Sequence, residues 1–106
     1  MAKYLVQGCY TTEGLHGLIK EKATARKAAV SAAVKSVKGK IDSMYFGVNG
    51  ADIVMIIDAP DNISAAGLSV MVMATGAVDL SVTPLLTVDE MDTALTATVK
   101  YRAPGE

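Results

Sequence analysis

The sequence predicts an α+β fold, in which one four-stranded antiparallel sheet carries helices on one face and a further helix follows at the C-terminus. The 106 residues, 51% of them hydrophobic and 20% charged, are enough for one core and therefore one domain over 1–106. Apolar residues recur at helical spacing in some segments and alternate or run continuously in others, which gives the order β-α-β-β-α-β. Asn49-Gly50 is typical of a tight hairpin turn between the second and third strands.

The first strand is predicted over residues 3–10. Alternation along it defines two sets of side chains, with Tyr4, Val6, Gly8 and Tyr10 on one face and Leu5, Gln7 and Cys9 on the other. The segment Thr11-Thr12-Glu13-Gly14 signals the start of a helix, and an apolar stripe at helical spacing is clear over 24–37. Gly39 is expected to end this helix.

The second strand is predicted over 40–48 and the third over 52–59. The continuous apolar run 53–57 fits a strand that is covered on both faces. In the turn between the two strands, Gly50 is expected to adopt a positive φ. Asp52 either hydrogen-bonds local backbone or begins the third strand with its carboxylate directed into a cleft.

The second helix is predicted over 63–75, capped by Pro60-Asp61-Asn62 and closed by Gly76. It carries no charged residue, although a helix on the outside of a monomer normally has a polar face. We therefore expect part of it to be covered in an assembly, and the alternative is cover by the chain's own C-terminal helix and tail. Pro84 is expected to end the strand that follows, 77–83.

A short helix is predicted over 87–98, followed by a loose tail. The complete order suits a ferredoxin-like sandwich, which leaves one sheet face without helices. Tyr4, Val6, Tyr10 and the apolar third strand indicate that this bare face is not simply polar. We therefore expect a second copy of the chain to pack its sheet against it.

The composition excludes several classes of function. A net charge of −1 and the absence of Trp argue against a general nucleic-acid binder. One cysteine and one histidine cannot build a disulfide framework or a zinc site, and no phosphate loop or dinucleotide fingerprint is present, so no cofactor is expected. With no signal peptide and no apolar run of roughly 18 residues, we expect a cytoplasmic protein without a membrane partner.

Charge is unevenly distributed along the chain. Seven of the eight charged residues in 20–40 are basic, whereas all eight charged residues in 41–99 are acidic. One interpretation is a pair of solvated surfaces of opposite sign. The other is a basic first helix that guides an anionic ligand or the acidic surface of a neighbouring copy.

Nearly the whole chain is similar to one known family. The similar stretches are the opening MAKYLVQGCYTTEGLHGLIKE, Arg26, 45–61, 76–78 and 83–87. They resemble the GYD-domain family, small proteins of the dimeric α/β-barrel group, which implies that fold and that association rather than a reaction. At the motif that names the family, Gly50-Ala51-Asp52 holds Ala51 where an aromatic residue is usual. Either the aromatic residue is dispensable or this member differs.

Polar residues at strand positions are the first candidate ligand contacts. The strand positions that carry them are Gln7, Cys9, Ser43, Tyr45, Asp79 and Ser81. In a face-to-face dimer these side chains would line the interior or its mouths, where a few converging polar groups make a binding site. The alternative is that they are exposed or satisfy one another. Among them we select Gln7 and Tyr45, together with Asp52, as ligand-binding candidates.

His16 and Arg26 complete the candidate set. His16 is the one side chain whose unperturbed pKa lies near neutrality, and it directly follows the first strand, although an exposed surface role is the simpler interpretation. Arg26 suits a bidentate contact with a carboxylate or phosphate, and the alternative is an ion pair with Glu21 or with another subunit. A Cys9–His16 pair is a remote alternative as a nucleophilic site. No catalytic residue is assigned.

Two functional hypotheses follow. The first is a homo-oligomeric protein that binds a small organic or anionic ligand in a pocket between sheet and helices, reaching Gln7, Tyr45 and Asp52. A cofactor-free enzyme of the monooxygenase or isomerase kind is one form of it, by analogy with the wider group. The second is a non-catalytic structural or sensing oligomer, favoured by the uncharged second helix and the scarcity of acid–base groups.

Overall fold

The structure is a computed structural model that describes all residues, 1–106. Its elements in chain order are β1 (Ala2–Tyr10), α1 (Thr12–Ser36), β2 (Lys40–Phe46), β3 (Ile53–Ala59), α2 (Asn62–Met73), β4 (Val78–Leu85) and α3 (Val88–Ala94). The sheet order is β2-β3-β1-β4, and every neighbouring pair is antiparallel. The predicted α+β fold with a ferredoxin-like β-α-β-β-α-β layout is confirmed.

One face of the sheet holds the hydrophobic core. Tyr4 and Val6 of β1 lie beside Met55 and Ile57 of β3, and all four are at most 6% exposed. Val34 of α1 and Ala65 of α2 complete this buried cluster. The prediction that Tyr4, Val6 and Tyr10 contribute to the bare face is therefore wrong, because α1 and α2 cover the set to which they belong.

The opposite face is uncovered, and its centre is apolar. Leu5 lies opposite Ile56, and Gln7 lies opposite Val54, in the pairing of β1 with β3. Leu5, Val54 and Ile56 are only half-buried. The predicted two-sided cover of the third strand thus applies to one side only, since Ile53, Met55 and Ile57 are buried under the helices.

The ends of α1 are set by local backbone contacts. The hydroxyl of Thr11 accepts a hydrogen bond from the backbone N–H of Gly14 at 3.2 Å. Lys22, with φ 72° and ψ 167°, interrupts the helix with a kink that the sequence pattern did not predict. At the C-terminal end Lys38, rather than Gly39, has a positive φ. Gly39 is needed for close packing, because a Cβ there would lie 2.5 Å from the carbonyl oxygen of Asp58.

The connection between β2 and β3 is a loop over residues 47–52 rather than a two-residue turn. Asn49, with φ 62°, adopts the left-handed conformation, whereas Gly50 does not, which corrects the prediction for Gly50. Asparagine tolerates this conformation better than most residues. The loop is closed by a hydrogen bond of 2.9 Å from the N–H of Gly47 to the carbonyl of Asp52.

Pro84 lies inside β4, opposite Tyr4, so the prediction that it ends the strand is wrong. β4 is an edge strand, and an edge strand tolerates proline because one side of its backbone has no strand partner. Gly76, with φ 79°, follows α2 as predicted.

The outer surface of α2 is apolar and exposed. On α2, Ile63, Val70 and Met71 are 83%, 59% and 73% exposed, so the alternative that the chain's own C-terminal segment covers them is wrong. α3 buries no residue and is shorter than predicted. No helix combines the length and the apolar character required to cross a bilayer.

Candidate functional site

A shallow cleft of about 370 Å³ lies on the bare face between β1 and β4. Its polar side chains form two cross-strand pairs, since Gln7 lies opposite Ser81 and Cys9 lies opposite Asp79. Directly opposed side chains of neighbouring strands are close enough to act on one small molecule. None of the four hydrogen-bonds to another group of the chain, so all their donors and acceptors face solvent.

The bare face has three zones along the strand direction. At one end the ammonium of Lys3 lies 2.9 Å from Asp58 and 3.4 Å from Asp42, and the hydrogen bond to Asp58 raises the pKa of Lys3. The apolar centre defined by Leu5, Val54 and Ile56 follows, and the polar cleft lies at the other end. The bare face therefore presents an ionic, an apolar and a hydrogen-bonding surface, in that order along the strands.

A second group of polar residues surrounds Tyr10 on the helix-covered face. The carboxylate of Asp52 accepts a hydrogen bond of 2.8 Å from the backbone N–H of Tyr10, which ties the start of β3 to the end of β1. Burial raises the pKa of the Tyr10 phenol, the charge of Asp52 adds to that shift, and the charge of Arg26 opposes it. The bond of Asp52 is therefore to backbone that is distant in sequence, not to local backbone.

Arg26 is also paired within its own helix. Its guanidinium lies 3.3 Å from the carboxylate of Glu21, which is the ion pair that the sequence offered as the alternative to a ligand contact. The side chains of Arg26 and Glu21 are 34% and 48% exposed, so solvent screens the pair and it is a weak constraint on Arg26.

The five predicted site residues are divided between regions. The charges of Asp52 and Arg26 both act on Tyr10, whereas Gln7 and Tyr45 lie on the bare face, Tyr45 with 70% of its surface exposed. A single pocket between sheet and helices cannot reach Gln7, Tyr45 and Asp52, because the first two are on the face that the helices do not cover. This corrects the predicted pocket.

His16 is exposed in the first turns of α1, and it lines neither the cleft on the bare face nor a second cavity, which lies between α1 and β2. No hydrogen bond joins it to Cys9, which is a free, exposed thiol. No three His, Cys, Asp or Glu side chains are grouped so that they could hold a metal ion.

Sequence reasoning placed Cys9, Asp79 and Ser81 among polar strand residues but did not select them as site residues. Their convergence depends on the β1–β4 register, which alternation within single strands does not determine. A signal was present nonetheless, because all three lie on the polar side of strands whose other side is apolar.

The profile of the GYD domain matches residues 4–95 of the 106-residue chain. Neither a curated protein nor a solved structure matches the chain. The match begins within β1 and covers the other three strands and both helices that pack on the sheet. It includes the Gly50-Ala51-Asp52 motif, which has Ala51 where an aromatic residue is usual. The chain belongs to the GYD domain family.

Proposed function

We propose that this protein is a homo-oligomer that binds a small organic molecule in a chamber formed when a second copy covers the bare face. The observation that carries the proposal is the convergence of Gln7, Cys9, Asp79 and Ser81 in a cleft next to an uncovered apolar centre. Binding sites combine apolar walls with a few polar groups, and the bare face offers both side by side.

The apolar centre supports the covering step. Leu5, Val54 and Ile56 are contiguous across β1 and β3 and have no cover within the chain. A contiguous apolar patch on a sheet typically marks a protein interface. A second sheet placed there would bury the patch and convert the open cleft at its end into an enclosed space.

The cleft residues favour one class of ligand. Asp79 is the charged residue of the cleft, and Gln7 and Ser81 both donate and accept hydrogen bonds. No cation is present to neutralise an anionic ligand. Of the organic and anionic ligands predicted from the sequence, the cleft therefore favours an uncharged organic molecule with at least one donor group, such as a phenol or an amide.

The proposal is tested by NMR titration of the ¹⁵N-labelled protein with phenol, benzamide and benzoate as probes. We expect phenol or benzamide to shift the amide signals of Gln7, Cys9 and Ser81, and Asp79→Asn to weaken that binding. Glu13→Gln, which removes an exposed carboxylate from α1 outside the cleft, is the matched control and should leave it unchanged. Probe-induced shifts confined to other surfaces would contradict the proposal.

A non-catalytic structural oligomer is the second candidate, and the exposed apolar side of α2 favours it. Ile63, Val70 and Met71 form an uncharged surface that a binding chamber does not require. If none of the probes binds while Met71→Lys dissociates the assembly, the structural role replaces ligand binding as the proposed function.

A further inference from the structure

The C-terminal segment 86–106, here termed the arm, has no packing partner in its own chain. Its apolar side chains are Leu86, Val88, Met91, Leu95, Val99 and Tyr101, which are 49–81% exposed. The radius of gyration is 16.9 Å, against about 13 Å for a compact domain of this length. A seven-residue helix such as α3 is too short to be stable in isolation, so it needs a surface to pack on.

The helix of the arm, α3, is also acidic. Asp89, Glu90 and Asp92 lie on α3, and Glu90 completes a capping box with Thr87, so that the bond from the backbone of Thr87 lowers the pKa of Glu90. Asp89 and Asp92 take part in no ion pair within the chain. Any surface that receives α3 must offer apolar contact and positive charge.

A groove of about 250 Å³ between α1 and the edge strand β2 has both properties. Three lysines surround it, Lys27, Lys35 and Lys40, and none of them is paired with an acid. Ile41 and Met44, both half-buried, supply apolar surface within it. The one acid of the groove, Asp42, is bound to Lys3.

We propose that this groove binds acidic helical segments and that its occupant is α3 from the arm of a second copy. The chain's own α3 cannot reach the groove, because only Leu86 and Thr87 link it to the β4 edge, a reach of roughly 10 Å, and the groove lies beyond the opposite edge, β2. The two edges are three strand spacings apart, on the order of 14 Å, before the thickness of the groove is added.

The arm contact is compatible with sheet-to-sheet pairing but does not depend on it. A two-fold axis parallel to the strands places the β4 edge of each copy beside the β2 edge of the other. Both arms then engage at once, each on the basic groove of its partner. This contact accounts for the uneven charge of the sequence, which is basic over 20–40 and acidic over 41–99.

Charge reversal on each side tests the contact. Lys27→Glu/Lys35→Glu reverses the groove and Asp89→Lys/Asp92→Lys reverses the arm, and all four residues are exposed, so folding is preserved. We expect each pair to weaken self-association by roughly tenfold or more in sedimentation equilibrium at low salt, and the four changes together to restore it. The matched control is Lys20→Glu/Lys38→Glu, the same charge change on and just after α1 but outside the groove.

A spin-label experiment locates the arm directly. The Cys9→Ser/Leu95→Cys protein, which carries the label on its single thiol at position 95, is mixed with unlabelled, ¹⁵N-enriched Cys9→Ser protein. We expect broadening of the Ser31 and Met44 signals in the ¹⁵N-enriched copy.

Three results would overturn the proposal: broadening elsewhere or none at all, failure of the combined reversal to restore association, or binding of inorganic phosphate in the groove without any arm contact. Probe titrations at Gln7 report on the cleft separately, so failure of the arm contact can be distinguished from failure of ligand binding.

Discussion

The two faces of the sheet are made from the same four strands, yet in the single chain one face is buried and the other is exposed. On the helix-covered face, Tyr4 and Ile57 are each 1% exposed. On the bare face, the neighbouring residues Leu5 and Ile56 are hydrophobic as well but only half-buried. The difference is not hydrophobicity but cover, because α1 and α2 both pack on one side. A sheet with an apolar centre on its second face needs a second source of cover.

The comparison predicts a large difference between adjacent residues. Ile57→Ala removes a side chain from the closed core and should lower the free energy of unfolding by about 2–5 kcal/mol. Ile56→Ala, the same change one position earlier, should cost about 1 kcal/mol or less in a dilute single chain. Urea denaturation of both variants at several protein concentrations checks this. Equal losses at every concentration would show that the two faces are equally covered in the monomer.

At the ionic end of the bare face, replacing either partner of the Lys3–Asp58 pair should lower stability by different amounts. Both losses should be smaller than that of Ile57→Ala. Lys3→Met leaves the carboxylate of Asp58, whose side chain is 9% exposed, without its partner, whereas Asp58→Asn leaves an exposed lysine that water solvates. We expect Lys3→Met to lower the thermal midpoint more than Asp58→Asn does, and Lys3→Met/Asp58→Asn to recover part of the loss. The order is measured by calorimetry, and a larger effect of Asp58→Asn would contradict it.

One side-chain hydrogen bond joins the helix-covered face of the sheet to α2. The hydroxyl of Tyr4 donates to the Oδ1 of Asn62 at 2.7 Å, at the start of α2. Tyr4→Phe keeps the buried ring and removes this bond, so it should cost about 1 kcal/mol of unfolding free energy. Tyr45→Phe, on the exposed side of β2, is the control and should change stability little. A loss for Tyr4→Phe no larger than for Tyr45→Phe would mean that the bond does not stabilise α2.

The pH dependence of stability should distinguish the two capped helices. Hydrogen bonds from the backbone N–H of Ser64 lower the pKa of Asp61, the N-cap of α2. Because the folded pKa is below the unfolded one, the stabilisation is present above about pH 4 and is lost as the pH falls through the folded pKa.

Asp61→Asn keeps a capping group but does not titrate, so it should flatten the loss of stability at acid pH. Glu90→Gln should leave the global curve unchanged in the monomer, since α3 packs on nothing in its chain. Denaturation between about pH 3 and pH 6 measures both. An unaltered acid limb in Asp61→Asn would contradict the assigned role of Asp61.

The sequence predicted the element order because turn residues and apolar periodicity are local signals. It did not predict which face of β1 the helices cover, since alternation separates Tyr4 from Leu5 without saying where α1 lies. For the same reason the predicted site residues lie in two regions, with Gln7 on the bare face and Asp52 beside Tyr10. Cross-strand register and helix placement are tertiary properties, and they decide which polar residues converge.

The most direct test of the account is sedimentation equilibrium of the unmodified chain and of Ile56→Asp at micromolar concentration. We expect the unmodified chain to be a dimer or a larger assembly, and we expect a carboxylate in the apolar centre of the bare face to dissociate it without unfolding it. An unmodified chain that remains monomeric with the bare face exposed to water would contradict the account.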